Sequence, residues 1–187
     1  MYVAIEGIDT AGKSTQIDFL KKVYSDGFFT KEPNSNKIRN FILNEGLNSS
    51  RAELLMFLAD RAEHVENNIK PNRDRDIFSD RSLISGISYA LVRDSLDFDF
   101  LVKLNIFATE TIFPDRAVLL WLDFDELENR LNQKNTDKIE LRGIEYLFDI
   151  QSRMLETIHK LDIEHTIINA KESKEEIHSR ILNFLKN

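Results

Sequence analysis

The chain has 187 residues, enough to bury one substantial core, and a single domain spanning residues 1–187 is the expectation. Its 25 Lys and Arg against 32 Asp and Glu leave a formal net charge of -7, which argues against non-specific nucleic-acid binding but still allows a few well-placed cations to hold a small anion. With no cysteine there is no disulfide, thiolate metal site or thiol nucleophile, and the opening apolar run is broken too early, at Glu6, for a leader or membrane span, so a soluble cytoplasmic chain is expected.

Residues 2–5 suit a buried strand, and they run directly into Gly7. A helix is expected over 13–25, with Ile17, Leu20 and Tyr24 on one face, until Asp26-Gly27 stops it. Between the two, Gly7-Ile8-Asp9-Thr10-Ala11-Gly12-Lys13-Ser14 satisfies the spacing G-x-x-x-x-G-K-[ST]. Glycines at both ends let backbone amides turn inward around a phosphate, and the helix N-terminus adds a favourable dipole. Lys13 supplies a movable charge, and Ser14 offers a hydroxyl to Mg²⁺. The loop therefore implies binding of a nucleoside triphosphate. Thr15 and Gln16 read as first-turn residues without chemistry.

Further strands are expected at 28–30, 77–79, 117–122 and 166–168, and helical periodicity at 52–69, 98–112, 144–161 and 174–185, with Pro33, Pro71 and Pro114 falling between periodic segments. Five strands alternating with helices imply an α/β chain: a three-layer P-loop fold with a five-stranded parallel sheet flanked by helices. Trp121 reads as packing of a buried strand. His64, His159, His165 and His178 form no i,i+4 pair, so a histidine-based zinc site has no support. After the fourth strand, Asp123-Phe124-Asp125-Glu126 stands where a GTPase would carry Asn-Lys-x-Asp.

The loop does not name the acceptor of the phosphate. A second segment, running from Asp80-Arg81 through Ser85 to Tyr89, follows a strand and so falls at the sheet edge where such folds bind ligands. Asp80 is suited to orient Mg²⁺ through water, and Arg81 to fork onto phosphoryl oxygens. The plainer alternative is a structural Asp80–Arg81 ion pair.

Together these segments resemble the thymidylate (dTMP) kinase family of nucleoside monophosphate kinases, from Met1 to about Leu185. Ile5-Glu6-Gly7-Ile8-Asp9 and Gly12-Lys13-Ser14-Thr15-Gln16 match its opening signature, and Lys31-Glu32-Pro33 resembles its Arg-Glu-Pro. Leu55 to Arg61 resembles its Leu-Phe-x-Ala-x-Arg helix, and Asp80 to Tyr89 its Asp-Arg-[Tyr/Phe]-x-x-Ser-x-x-Ala-Tyr. The resemblance implies transfer of the ATP γ-phosphate to dTMP, giving dTDP for dTTP synthesis, with Mg²⁺ as cofactor and a homodimeric assembly. It also assigns roles. Asp9 faces the sugar and the incoming phosphate, Glu32 and Pro33 border the acceptor, and Arg39 and Arg81 hold its phosphate. Phe57 stacks on thymine and Arg61 reads its carbonyl, while Ser85 and Tyr89 complete the pocket, Tyr89 disfavouring a ribose. Taken alone, Phe57 reads as core and Arg61 as a solvated charge; the combined pattern reverses that.

The sequence departs from the family at Gly86, where a small polar residue is usual, and at Ala90, where Gln is common. Residues 130–142 resemble a lid that closes over ATP. The resemblance implies a catalytic cation in either the phosphate loop or the lid. Thr10 and Ala11 supply none, and Asp137-Lys138-Ile139-Glu140 resembles the family's Asp-Arg-x-Glu, so Lys138 is expected to complete the catalytic set of Lys13, Arg81 and Asp9, with Arg130 or Arg142 as helpers. Two other readings share the same loop: a deoxynucleoside kinase acting on a neutral sugar hydroxyl, and a nucleotide-binding protein without turnover.

Overall fold

Tyr2–Glu6 (β1) is buried at every position, so both of its faces need cover, the condition under which parallel sheets form. The computed structural model describes residues 1–42, 47–94, 96–132 and 143–186. In it, β1 is the middle strand of a five-stranded parallel sheet with Phe28–Lys31 (β2), Ile77–Asp80 (β3), Arg116–Trp121 (β4) and Glu164–Asn169 (β5), in the order β2-β3-β1-β4-β5. The five expected strands are all present, their ends shifted by a residue or two.

Right-handed crossovers then sort the helices onto two faces. Lys13–Val23 (α1) packs with Lys174–Lys186 (α8) over one face. Ser50–His64 (α3), Leu83–Asp94 (α4), Phe98–Thr109 (α5) and Ile144–Lys160 (α7) pack over the other, while Asn36–Asn40 (α2) lies against α3 and Phe124–Asn132 (α6) against α7. No helix among the described residues is long and apolar enough to cross a membrane.

Two expectations change in detail. The helix expected over 52–69 is α3 followed by a π turn at Val65–Ile69 and a 3₁₀ turn at Lys70–Asn72, because Pro71 has no amide to continue the ladder. Helix α4 had no strong signal in LISGISYALVRD, whose Ser, Gly and Ile residues favour other conformations; it forms because Leu83, Ile84, Ile87 and Ala90 are buried.

Chain order changes direction at β1: the connection to β2 runs to one side and that from β3 to β4 to the other. The C-terminal ends of β1, β2 and β3 thus share one edge, with Ile5 opposite Asp80 and Lys31 opposite Asp80. This is the switch point where open α/β sheets form their crevice. Beneath it, Phe78 of β3 is fully buried and packs on Tyr24 at 4.8 Å and, stacked, on Phe29 at 5.1 Å. Phe78→Ala is expected to destabilise the fold by about 3–5 kcal/mol, read as a lower urea midpoint at unchanged slope.

Candidate active site

The loop leaving β1 turns through backbone conformations its sequence anticipates. Gly7 has φ 147°, and a Cβ there would meet the Leu120 carbonyl at 2.8 Å; Gly12 has φ 94° and opens α1. Thr10 also takes a positive φ, of 72°. Lys13 is buried, and its Nζ donates to the Ile8 carbonyl at 2.9 Å and lies 3.8 Å from Asp9 Oδ1. Burial, reinforced by Arg81, pushes the Lys13 pKa down to about 8. The Ser14 hydroxyl donates to Asp80 Oδ2 at 3.3 Å, so the hydroxyl and carboxylate expected to serve Mg²⁺ are adjacent.

Arg81 follows β3 with φ 72° and reaches across to the loop. Its Nη2 pairs with Asp9 Oδ1 at 2.6 Å, and its Nη1 donates to the Gly7 carbonyl and to Ser85 Oγ, each at 3.0 Å. The guanidinium also lies 5.6 Å from the centre of the Tyr89 ring. Burial opposes its charge, yet the negative groups around it raise its pKa further, so it remains a cation. The structural alternative of an Asp80–Arg81 pair is replaced by an Asp9–Arg81 pair. Behind it, fully buried Glu6 accepts from Ser82 Oγ at 2.6 Å and Ser85 Oγ at 2.5 Å; burial pushes its carboxyl up.

The segment after β2 is held by a buried polar chain. Glu32 Oε2 accepts from Arg61 Nε at 2.8 Å and lies 2.7 Å from Nη2, while Oε1 lies 3.3 Å from His64 Nδ1. Burial pushes the Glu32 carboxyl up, but Arg61 and His64 outweigh it and hold it below the usual range. Arg61 Nη1 continues the chain to Asn105 Oδ1 at 2.7 Å, and His64 Nε2 meets Thr30 Oγ1 at 2.7 Å. The Asp60 carboxylate accepts from the amides of Asn34 at 2.6 Å and Ser35 at 2.7 Å, and Ser35 caps α2, which carries Arg39.

Two cavities result. One, of about 360 Å³, lies over the loop and is lined by Gly12, Lys13, Ser14, Thr15 and Asp80 among others. The other, of about 120 Å³, is lined by Pro33, Phe57, Arg61, Ser85 and Tyr89 among others. Asp9, Glu32, Arg39 and Arg81 line both, so the cavities meet at two arginines and two carboxylates.

Most residues singled out from the sequence therefore converge. Phe57 is half-buried and lies outside the apolar clusters that hold Leu54 and Leu58, which removes the plain core reading. Lys138 lies outside the described residues, as do Lys134 and Arg142. Arg130, expected as a lid helper, instead grips structure: it donates to the carbonyls of Thr10 at 2.8 Å and Ala170 at 2.7 Å and pairs with Glu126 at 2.7 Å. Gln16, read as a first-turn residue without chemistry, is buried and donates to the Lys174 carbonyl at 3.0 Å, whereas Thr15 borders the loop cavity despite having been assigned no chemistry. Asp123, in the segment that stands where a GTPase motif would be, caps α6 through the Glu126 amide at 2.8 Å. Glu6, His64 and Asn105 were not foreseen as parts of the site. Only Glu6, a carboxylate inside an apolar strand, left a signal that could have been followed.

The family model described as thymidylate kinase matches residues 5–181. The chain belongs to the thymidylate kinase family. Among curated relatives, a thymidylate kinase of Wolinella succinogenes is 51% identical, covering 97% of this chain and 96% of its own. Those of Aliarcobacter butzleri and Sulfurovum sp. are 50% and 48% identical, covering 99% and 100% of this chain and 98% and 100% of theirs. The crystal structure of thymidylate kinase from Ehrlichia chaffeensis has the same fold, with a TM-score of 0.77 at 23% identity, covering 100% of this chain and 98% of that one.

A lysine whose pKa is lowered on folding has released its proton where the unfolded chain still holds one, so the ligand-free protein gains stability as pH rises from about 8 toward the ordinary lysine value of 10.5. A bound polyphosphate reverses the shift. Nucleotide binding above pH 8 is therefore expected to take up protons and to weaken with rising pH, which titration calorimetry in buffers of different ionisation enthalpy measures; Lys13→Met removes the uptake.

Proposed function

We infer that the two cavities hold the two substrates of one phosphoryl transfer, ATP over the loop and dTMP between α3 and α4, giving ADP and dTDP for dTTP synthesis. The observation that carries this reading is their junction at Asp9, Glu32, Arg39 and Arg81. Phosphoryl transfer needs little covalent chemistry from the protein and depends on alignment and on cations where charge is redistributed. The loop amides and Lys13 hold the donor phosphates, while Arg39 and Arg81 orient the acceptor phosphate. One of its oxygens attacks the γ-phosphorus as the bond to the β-phosphate oxygen breaks and ADP leaves. The attacking group is already an anion, so no protein base is required and no enzyme-bound intermediate forms.

Ser14 and Asp80 suit Mg²⁺, which keeps several waters and takes few protein oxygens; when bound, the ion neutralises charge on the donor phosphates. At the base end, Phe57 and Arg61 stand one helical turn apart on α3, a spacing that offers a stacking face and hydrogen-bond donors to one flat ring. Tyr89, beside Arg81, is suited to disfavour a ribose, whose added hydroxyl must find room and a partner.

The remaining features follow from the same reading. The chain works as one domain with residues 130–142 as a lid supplying Lys138, in the cytoplasm, without membrane or nucleic-acid partners, and as a homodimer. In support of the dimer, α3 and α5 bury Leu54, Leu58 and Leu101 yet leave Leu55 and Phe107 exposed at 61% and 87%.

The test is ADP formation from Mg-ATP with dTMP, dUMP, dCMP, UMP, AMP and thymidine. Turnover is expected mainly on dTMP, with Arg81→Ala lowering kcat about 100- to 1,000-fold and Phe57→Ala raising KM for dTMP about tenfold. Activity on thymidine alone would reassign the protein to the nucleoside kinases, and no turnover on any acceptor would leave it a nucleotide-binding protein.

A further inference from the structure

One of the two arginines at the junction of the cavities is carried by an element that cannot hold itself in place. Arg39 lines both cavities from α2, a helix of five residues, none of them buried. A helix that short is not stable on its own. What fixes its start is polar. Asp60 of α3 is 2% exposed, and its two oxygens accept from consecutive backbone amides, Oδ2 from Asn34 at 2.6 Å and Oδ1 from Ser35 at 2.7 Å. Ser35 Oγ in turn accepts at 3.3 Å from the amide of Ile38, the residue before Arg39. The Asn34 Nδ2 donates to Thr30 Oγ1 at 3.3 Å, which ties the same turn back to β2. The next residue of α3, Arg61, pairs with Glu32, so two successive side chains of one helix grip the chain on either side of Pro33.

We propose that Asp60 is a positioning residue for the phosphoryl transfer, seating Arg39 at the junction before the acceptor arrives. The inference rests on reading Arg39 as a group that holds the acceptor phosphate. Asp60 lines neither cavity, so it acts on the acceptor only through what it holds. A carboxylate shared between two amides fixes the direction of a turn as well as its place, because each oxygen has its own donor. The fixed point is α3, which has fifteen residues and buries Leu54 and Leu58 along with Asp60. Without that carboxylate, two amides of a half-buried turn lose their partners, and the turn moves out to find water, taking the start of α2 with it. Arg39 must then be ordered by the acceptor itself, a cost drawn from acceptor binding. ATP, held by the loop after β1, does not bear it.

The experiment measures kcat and KM for dTMP and for ATP, with thermal melting, for the full chain and its Asp60→Asn, Ser35→Ala, Arg39→Ala and combined Asp60→Asn, Arg39→Ala variants. Asp60→Asn keeps the shape but sets an amino group against one of the two amides, so kcat/KM for dTMP is expected to fall about tenfold with KM for ATP held. Ser35→Ala removes only the hydroxyl cap and is expected to give a loss of about threefold in the same direction. In the Arg39→Ala background, Asp60→Asn is expected to cost less than about twofold more, because a residue that acts through another adds little once that other is gone. A folded Asp60→Asn protein with native kcat/KM for dTMP would overturn the proposal; where that variant does not fold, native kcat/KM in Ser35→Ala does the same. So would losses that multiply independently in the combined variant, or losses that track melting temperature and fall equally on ATP and dTMP, since these mark a merely structural role. Arg39→Ala separates the proposal from its parent reading. If removing Arg39 leaves kcat/KM for dTMP unmoved, Arg39 does not hold the acceptor phosphate and both fall; if it lowers kcat/KM while Asp60→Asn does not, only the positioning role falls.

Discussion

An aspartate inside a loop built to bind phosphate raises the local cost of every anion that approaches, unless a cation stands against it. In this chain that cation is Arg81, 2.6 Å away and brought there from the end of the neighbouring strand. The pair does more than cancel charge. Arg81 also donates to the Gly7 carbonyl, so one side chain ties the first turn of the loop to the segment after β3 and to Ser85 of α4. Arg81 thus offsets the charge that Asp9 would set against an approaching phosphate, while Lys13 stands beside the same carboxylate with its ammonium on the Ile8 carbonyl. The arrangement also explains the buried carboxylate of Glu6, which holds the two serine hydroxyls of the same turn and keeps Arg81 from tilting away.

A second buried carboxylate, Glu32, organises the other half of the site by the same rule that a buried charge needs partners on every side. Arg61 and His64, three residues apart on α3, reach it together, and Asn105 and Thr30 close the chain at its ends. The smaller cavity is thus backed by a network linking β2, α3 and α5 rather than walled by isolated side chains.

The sequence revealed the site at short range and missed it at long range. Gly7 to Ser14 could be read because a phosphate loop is defined by consecutive residues and by glycines whose backbone angles other residues resist, as the φ values at Gly7 and Gly12 bear out. The inner strands β1, β3 and β4 were visible because strands buried on both faces need apolar runs. By contrast, the Asp9–Arg81 pair joins residues 72 apart and Arg61–Asn105 joins residues 44 apart, and no local pattern records such meetings. Helix α4 was hidden for a related reason: its residues favour helix only once the sheet and α7 bury them. Arg130 carried a charge that suited a lid, but its side chain is taken up by carbonyls at positions 10 and 170, which the sequence does not bring together.

That grip by Arg130 bears on the entropy of binding. One guanidinium, anchored to Glu126 on its own helix, holds the back of the phosphate loop and the turn after β5 at once. The phosphate loop is therefore already tied to its neighbouring turn before a nucleotide arrives, and the binding free energy is correspondingly less diminished by its immobilisation. The planar fork suits this task because it spans two carbonyls in fixed directions, which a single ammonium group on a flexible stem does not.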